Sequence, residues 1–296
     1  MSIFIGVDGG GTRARAVLVD ASGTVTRRAE GPAGIIDARD PGRSVAVIVS
    51  LVRGLMKDYA QPPAVLYCGL AGAGGWVERE FARAALQAEL PETHVIVVTD
   101  ADVALADAFD TGPGILLIAG TGSIALARDG AGAMIRVGGW GQLLGDDGSG
   151  YALGLAALRA IKRSIDGRGP VTALAAAAAE AAGLTEPADL VHFAATAAKA
   201  EIAALAPLVL SCDDDVARRI RSEAVSALAE LGVTAASRSA LSSPCFALAG
   251  GLIEPGGPLR EEVALALRRS IEGCSVLETA VDGARGAALL ARHAAS

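Results

Sequence analysis

Lysine is scarce in this sequence, and its scarcity excludes the commonest phosphate-binding motif. Only three of the 296 residues are lysines, Lys57, Lys162 and Lys199, and none follows a glycine-rich turn. A P-loop needs a lysine directly after such a turn, because that lysine reaches the phosphates of the nucleotide. The chain therefore has no P-loop, and any phosphate site must be built in another way.

Cysteine and histidine are too few and too dispersed to form a familiar metal motif. The four cysteines are Cys68, Cys212, Cys245 and Cys274, and no two of them form a CxxC pair. The three histidines are His94, His192 and His293. These spacings fit neither a zinc site nor a clustered iron–sulfur site in one chain, so we expect inert thiols in a reducing cytoplasm.

Positive charge is in deficit. The formal net charge is −7 and the sequence pI is about 5.1. Because nucleic acids and anionic membranes attract basic surfaces, we expect neither as a partner. No apolar run is long enough to span a bilayer, and no basic segment with a cleavage site precedes the first strand. We therefore expect a cytoplasmic protein.

A glycine-rich turn between two apolar strands stands near the start of the chain. Residues 3–20 read IFIGVDGGGTRARAVLVD, with the turn DGGGT between the two strands. Consecutive glycines leave the backbone amides open to a polyanion, because no Cβ covers them. Thr12 adds a hydroxyl donor, and Asp8 could hold a hydrated Mg²⁺. The alternative, an ordinary hairpin, needs only about two turn residues.

The same pattern returns about 110 residues later. A strand over 115–119 leads into the turn Gly120-Thr121-Gly122-Ser123, and a second strand covers 124–128. This recurrence predicts an internal duplication. The segment GTGSIA also fits a loose dinucleotide-binding pattern, but a strand rather than a helix follows it, which argues against a Rossmann fold.

Between and after these turns, several polar and aromatic residues need an interpretation. Asp100 is expected at the end of a strand over 94–98, with Asp102 as a helix N-cap and Asp107 as a solvated helix residue. Trp76 is expected to pack rather than to bind a ligand. The glycine-rich segment 136–151 precedes a helix for which Asp147 or Ser149 is a suitable N-cap.

Taken together, six segments resemble one family in their order along the chain. They are GVDGGGTRARAVLVD, GLAGAG, TDAD, IAGTGS, GGWGQLLGDDGSGY and ALAGG. The chain resembles the N-acetylglucosamine and glucosamine kinases, grouped with the BadF/BadG/BcrA/BcrD-type ATPases in the acetate-kinase, sugar-kinase, heat-shock ATPase and actin superfamily. The resemblance runs from Ile3 to about Leu290.

The resemblance implies an α/β fold with two ribonuclease-H-like, actin-like ATPase domains that face each other across a cleft. We expect domains at 1–112 and 113–296, with a helical insertion at about 170–240 in the second. The last helix could pack back on the first domain. Hinges are expected near 111–114 and around Gly283.

The resemblance also implies roles for particular residues. The phosphate loops would be Gly10, Gly11 and Thr12, and Gly120, Thr121 and Gly122. The adenosine-side loop would be Gly250 and Gly251. The catalytic base would be Asp100, which would also contact the sugar together with Gly139, Trp140, Gly141 and Asp146. Asp8 would hold Mg²⁺ through water.

Two positions depart from the family pattern. The family often carries a sugar-contacting Asn after the third strand, where this chain has Gly34-Ile35-Ile36-Asp37, and a Ser that members carry in the 69–73 bend is Ala71 here. Both weaken the case for N-acetylglucosamine in particular.

The function expected from this resemblance is transfer of phosphate from Mg-ATP to the 6-hydroxyl of an amino sugar, N-acetylglucosamine or glucosamine, by a homodimer. The alternatives are a kinase of another hexose or of N-acetylmuramic acid, an ATPase subunit that activates a reductase, and a sugar-binding regulator. The lack of a paired-cysteine cluster argues against the activator. The lack of a helix-turn-helix segment before the first strand argues against the regulator.

Overall fold

The computed structural model describes residues 3–36 and 41–295, and it divides the chain into two compact units. The first unit comprises Met1–Gly112 and Val281–Ser296, and the second comprises Pro113–Ala280. The second unit thus ends at Ala280 rather than at the end of the chain. The final helix belongs to the first unit.

The first unit is a five-stranded sheet with helices on both faces. Its elements are β1 (Phe4–Gly9), β2 (Arg13–Val19), β3 (Val25–Pro32), α1 (Pro41–Leu55), β4 (Val65–Leu70), α2 (Trp76–Glu89), β5 (His94–Val98), α3 (Asp100–Phe109) and, from the chain's end, α11 (Gly283–Ala294). The strand order is β3-β2-β1-β4-β5. β1 is antiparallel to β2 and parallel to β4, which is parallel to β5.

The second unit repeats this topology with a larger set of helices. Its elements are β6 (Gly114–Ala119), β7 (Ser123–Arg128), β8 (Met134–Gly138), α4 (Gly150–Ile165), α5 (Leu174–Ala182), α6 (Pro187–Thr196), α7 (Lys199–Ala203), α8 (Ala206–Ser211), α9 (Asp215–Ser239), β9 (Cys245–Ala249), α10 (Arg260–Ser270) and β10 (Ser275–Val276). The strand order is β10-β9-β6-β7-β8, with antiparallel β6–β7 and β7–β8 and parallel β6–β9 and β9–β10.

Read from the antiparallel edge, both sheets connect their strands in the same sequence order. This correspondence agrees with the internal duplication that the two glycine turns predicted. The α/β class and the helical insertion, α5 to α9, were also predicted. β8 was not predicted, because this strand has only five residues and glycine-rich turns flank it on both sides.

Two separate clusters of apolar residues cover the faces of the first sheet. One cluster joins β1, β2 and β4 to α1 and α2, and it includes Ile5, Ile48 and Leu86. The other joins the opposite face to α11 through Ala284, Ala288 and Ala291. α11 lies so close to β1 that a methyl group at Gly6 would stand 2.0 Å from the backbone nitrogen of Ala288. Only glycine fits there.

The core of the second unit lies between its sheet and the helices that pack on it. It includes Leu117 of β6, Leu153 of α4, Leu228 of α9 and Phe246 of β9. No helix in the described part of the chain is both long and apolar enough to cross a membrane.

Candidate active site

The first glycine turn, between β1 and β2, is exposed at its tip. The backbone amide of Gly10 donates to the carbonyl of Arg13 at 3.0 Å, and the carbonyl of Gly10 accepts from the amide of Gly34 at 3.1 Å. Gly11 and Thr12 are exposed. The turn is therefore anchored at its base, while Gly11 and Thr12 are exposed at its tip.

The two segments that depart from the family pattern border this turn. The amide of Ala71 donates to the carbonyl of Gly9 at 2.9 Å, and the carbonyl of Ala71 accepts from the amide of Ile36 at 2.9 Å. The strand end, the 69–73 bend and residues 34–36 therefore meet at one place. Asp37 lies outside the described residues.

The side-chain carboxyl of Asp8, near the end of β1, is an unusually weak acid. Burial, together with the nearby carboxylates of Asp100 and Asp282, raises its pKa from 3.8 to about 7, although Arg13 acts in the opposite direction. Three carboxylates of the first unit therefore share one electrostatic environment. A methyl group at Gly283 would stand 2.9 Å from Oδ2 of Asp8, so the start of α11 is packed directly against this carboxylate.

Asp100 lies two residues after β5 ends at Val98 and is the first residue of α3. The expectation that Asp100 ends the strand was therefore wrong by two residues, because Asp100 begins the following helix. Its Oδ1 accepts a hydrogen bond from the amide of Ala101 at 3.0 Å. Burial raises its pKa, and the adjacent backbone N–H groups oppose that rise.

The N-cap of α3 is Thr99 and not Asp102, so the prediction for Asp102 was wrong by one helical turn. Thr99 accepts at its hydroxyl from the amide of Asp102 at 3.2 Å, and Oδ2 of Asp102 accepts from the amide of Thr99 at 3.0 Å. This reciprocal arrangement is a capping box. It fixes the first turn of the helix, where Asp100 lies.

The expectation that Asp107 is solvated was also wrong. Its side chain is only 2% exposed and forms an ion pair with Arg285 of α11. No local signal in the sequence could indicate this pair, because the partner lies near the other end of the chain.

In the second unit, the turn 120–122 is fixed against the start of α4. The carbonyl of Gly120 accepts from the amide of Gly150 at 2.8 Å, and the carbonyl of Thr121 accepts from the amide of Tyr151 at 3.2 Å. Of the two N-cap candidates predicted for α4, Asp147 and Ser149, the structure has Ser149. The peptide groups of the turn are thereby held in a defined orientation.

Asp146 is buried beside this turn. It adopts a positive φ of 62°, and its side chain is 4% exposed. Oδ1 accepts from the amide of Ser123 at 3.1 Å, and Oδ2 lies 2.6 Å from Nζ of Lys199. Sequence reasoning missed Lys199. Its one signal was rarity, since it is one of three lysines in the chain.

The segment around Trp140 has a backbone that depends on glycine. Gly139 and Gly141 have φ values of 70° and 80°, in the left-handed region. The ring of Trp140 is exposed by 71%, and the guanidinium of Arg136 lies 5.8 Å from the ring centre. Trp76, in the other unit, is 72% exposed, so the expectation that it packs was wrong.

The loop Gly250–Gly251 lies beside the turn 120–122. Gly250 has a φ of 85°, and a methyl group there would stand 2.5 Å from the carbonyl oxygen of Ala119 and 3.0 Å from the amide of Gly120. The amide of Leu252 donates to that same carbonyl at 3.1 Å. Because β6 and β9 are parallel neighbours, both loops follow their carboxyl ends.

The described residues contain no group of three or more His, Cys, Asp or Glu side chains suited to hold a metal ion directly. The residue that best fits a hydrated cation is Asp8. It is a half-buried carboxylate with acidic neighbours, and a divalent cation would relieve the repulsion among them.

Comparison with curated proteins finds sugar kinases that match nearly end to end. The chain is 29% identical over 307 residues to the N-acetylmuramic acid/N-acetylglucosamine kinase of Clostridium acetobutylicum, covering 99% of each chain. It is 30% identical over 311 residues to the N-acetyl-D-glucosamine kinase of Dictyostelium discoideum, covering 98% of this chain and 97% of the other.

Comparison with solved structures gives a similar picture. A candidate N-acetylglucosamine kinase from Chromobacterium violaceum superposes with a TM-score of 0.78 at 28% identity, over 99% of both chains. A ROK family glucokinase from Streptomyces griseus, solved with glucose and AMPPNP, has a TM-score of 0.61 at 19% identity over 99% of this chain and 100% of the other, and shows the shared fold.

The model of one protein family matches residues 5–291, which is nearly the whole chain. This match covers both glycine turns, Asp100 and the segment around Trp140. The protein belongs to the BadF/BadG/BcrA/BcrD ATPase family.

Proposed function

We propose that the protein is an ATP-dependent kinase that phosphorylates the 6-hydroxyl of an amino sugar, N-acetylglucosamine or glucosamine. The observation that carries this proposal is the nearly end-to-end similarity to two curated N-acetylglucosamine kinases, and the proximity of the carboxylates of Asp8 and Asp100 in the first unit supports it. Phosphoryl transfer needs a group that takes the hydroxyl proton and a charge that neutralises the phosphates. In this proposal, Asp100 takes the proton, and Asp8 provides the neutralising charge by holding a cation.

Asp100 is the proposed base. A carboxylate with a raised pKa accepts a proton from a hydroxyl more readily than an ordinary one, because its basicity is closer to neutral pH. Its position in the first turn of α3, which the capping box fixes, limits its freedom of movement. Asp100 is thus both the proposed base and a proposed contact of the sugar.

Asp8 is the residue proposed to hold Mg²⁺ through water. Bound there, Mg²⁺ would offset the negative charge of the phosphates. The residues of both glycine turns are proposed to bind phosphate. Gly10, Gly11 and Thr12 of the first unit, and Gly120, Thr121 and Gly122 of the second, would donate amide and hydroxyl hydrogens to the phosphates of ATP, with Gly250 and Gly251 against the adenosine.

The proposed contacts of the sugar in the second unit are Gly139, Trp140, Gly141 and Asp146. The exposed ring of Trp140 offers an apolar surface of the kind that stacks on a pyranose. The names of the two curated relatives, which include N-acetylglucosamine in both cases, support the choice of an amino sugar. The expected assembly is a homodimer in the cytoplasm.

The test is an assay that couples ADP release to a change in absorbance, with Mg-ATP as the donor. Glucosamine, N-acetylglucosamine, N-acetylmuramic acid, N-acetylmannosamine and glucose are compared with a control that lacks sugar. We expect strong stimulation by N-acetylglucosamine or glucosamine. A preference for glucose or N-acetylmuramic acid would show that the proposed substrate is wrong. ADP release without any dependence on sugar would favour an ATPase that activates a protein partner.

A further inference from the structure

We propose that Lys199, on the inserted helix α7, binds the phosphoryl group that is transferred. This inference rests on the proposed function and adds to it a catalytic cation. The residue lies in the helical insertion, far in the sequence from both glycine turns. Three observations in the second unit carry the inference: the place of the ammonium, its free hydrogen-bonding capacity and the anchoring of its counter-ion.

The ammonium of Lys199 lies directly against the turn 120–122. A methyl group built on Gly122 would stand 2.9 Å from Nζ of Lys199 and 2.5 Å from Oδ1 of Asp146. The missing side chain at Gly122 thus makes room for the charged end of Lys199. This turn is the phosphate loop of the proposed function, so a phosphate on its amides would lie within reach of the ammonium.

Lys199 retains the capacity to bind a further anion. Its ammonium has three N–H donors and no acceptor. Its close charged contact is Oδ2 of Asp146 at 2.6 Å, but that oxygen receives no directed hydrogen bond from the described residues. The side chain of Lys199 is 34% exposed, whereas that of Asp146 is 4% exposed. The ammonium of Lys199 is therefore more accessible to solvent, and to a ligand, than the carboxylate of Asp146 is.

Asp146 acts as the anchor of this lysine. Its Oδ1 accepts from the amide of Ser123, and the hydroxyl of Ser123 donates to the carbonyl of Asp147 at 2.7 Å. Ser123 therefore holds both the carboxylate of Asp146 and the backbone of the next residue. A lysine fixed on such an anchor loses less conformational freedom when it binds a phosphate than a free one does.

The chemistry of phosphoryl transfer favours such a cation beside Mg²⁺. In the transition state of phosphoryl transfer, negative charge spreads over the equatorial oxygens, and a positioned lysine or arginine stabilises it. The chain has no P-loop lysine to do so. The competing explanation is that Lys199 only neutralises the buried Asp146, which a buried carboxylate needs in any protein. The two explanations predict different effects on nucleotide binding.

The experiment measures the affinity of Lys199→Met for AMP, ADP and AMPPNP by calorimetry with Mg²⁺, beside the unmodified protein. The matched control is Lys162→Met, which removes an exposed lysine from α4 of the same unit. We expect Lys199→Met to lower the affinity for AMPPNP by about tenfold or more, because a charge-assisted hydrogen bond is lost. The affinity for AMP should be unchanged. The kcat for the best sugar should fall by about 10²-fold or more, with partial recovery in Lys199→Arg.

Equal affinities of Lys199→Met and the unmodified protein for AMPPNP, or an equal loss for all three nucleotides, would overturn the inference. If Lys199→Met does not fold, the affinities for the three nucleotides are measured in the double variant of Lys199→Met with Asp146→Asn. This double variant leaves no buried charge unpaired. The nucleotide series needs no sugar. It therefore distinguishes failure of this inference from failure of the proposed kinase function, which shows as absence of sugar-dependent turnover in the unmodified protein.

Discussion

Arg285 donates two hydrogen bonds to the carboxylate of Asp107, at 2.6 and 2.9 Å, although 178 residues separate them in the sequence. The amide of Asp282 donates to the same carboxylate at 2.8 Å, and Asp282 in turn caps α11. The C-terminal helix is thereby fastened to α3, whose first residue is Asp100. The same helix begins at Gly283, against the carboxylate of Asp8.

Removal of Arg285 should destabilise the protein more than removal of a surface arginine. Arg285→Met leaves the almost fully buried carboxylate of Asp107 without its cation, and we expect the free energy of unfolding to fall by about 2 to 4 kcal/mol. Urea unfolding measures the change. The control is Arg53→Met, which breaks an exposed pair with Glu89 at 3.0 Å and should cost less than about 1 kcal/mol. Equal losses in the two variants would contradict the prediction.

Gly122 should tolerate a methyl group far less well than Gly120 does. In Gly122→Ala, the added Cβ would meet both Asp146 and Lys199, whereas in Gly120→Ala it would meet nothing within 4 Å. We expect the melting temperature of Gly122→Ala to fall by several degrees, as a loss of about 1 to 3 kcal/mol through overpacking would produce. Gly120→Ala should melt close to the unmodified protein. A reversed order would show that the ion pair is not rigidly held.

The stability of the protein should depend on pH through Asp8. The pKa of this carboxyl in the folded protein is about 7, above its ordinary value of 3.8, so the folded state keeps the proton to higher pH. The resulting stabilisation is fully present below about pH 4 and is lost as pH rises to about 7. Urea unfolding between pH 4 and 8 should therefore show a steeper decline for the unmodified protein than for Asp8→Asn.

Asp100 contributes a slope of the same sign, because its pKa is also raised. A residual decline in Asp8→Asn is therefore expected. Parallel curves for Asp8→Asn and the unmodified protein would mean that Asp8 is ionised in the folded state throughout this range.

Magnesium should stabilise the nucleotide complex through Asp8. With ADP present, we expect Mg²⁺ to raise the melting temperature of the unmodified protein above its value in EDTA, since a ligand of the folded state adds to its stability. The increment should be smaller in Asp8→Asn. Asp58→Asn, which alters an exposed carboxylate paired with Arg27, serves as the control and should behave as the unmodified protein. An undiminished increment in Asp8→Asn would remove Asp8 from the metal site.

Asp100→Asn should separate catalysis from stability. The amide cannot accept the hydroxyl proton, so we expect kcat for the best sugar to fall by about 10²- to 10⁴-fold while the melting temperature changes little. Asp102→Asn is the neighbouring control. It weakens the capping box and should cost about 1 kcal/mol of stability, with turnover largely retained. Near-normal turnover in Asp100→Asn would exclude Asp100 as the base.

Much of the fold follows from local patterns. The two glycine turns lie between apolar strands, so the hairpins of β1–β2 and β6–β7 were predictable, and so was their recurrence as a duplication. The long alanine-rich stretch indicated the inserted helices. Helix boundaries shifted where capping decided them, as at Thr99, because the choice between polar residues three positions apart depends on the geometry of the capping hydrogen bonds.

The candidate site divides in the same way. Its glycines and Asp100 were predicted from motifs, and their proposed roles await the experiments above. The sequence by itself determined the hairpins, the helical insertion and the family. Only the tertiary structure decided that Asp107 is buried under Arg285, that Lys199 meets Asp146 at the second turn, and that Trp76 is exposed. Each of these depends on which surfaces pack together, and packing joins residues that no local pattern relates.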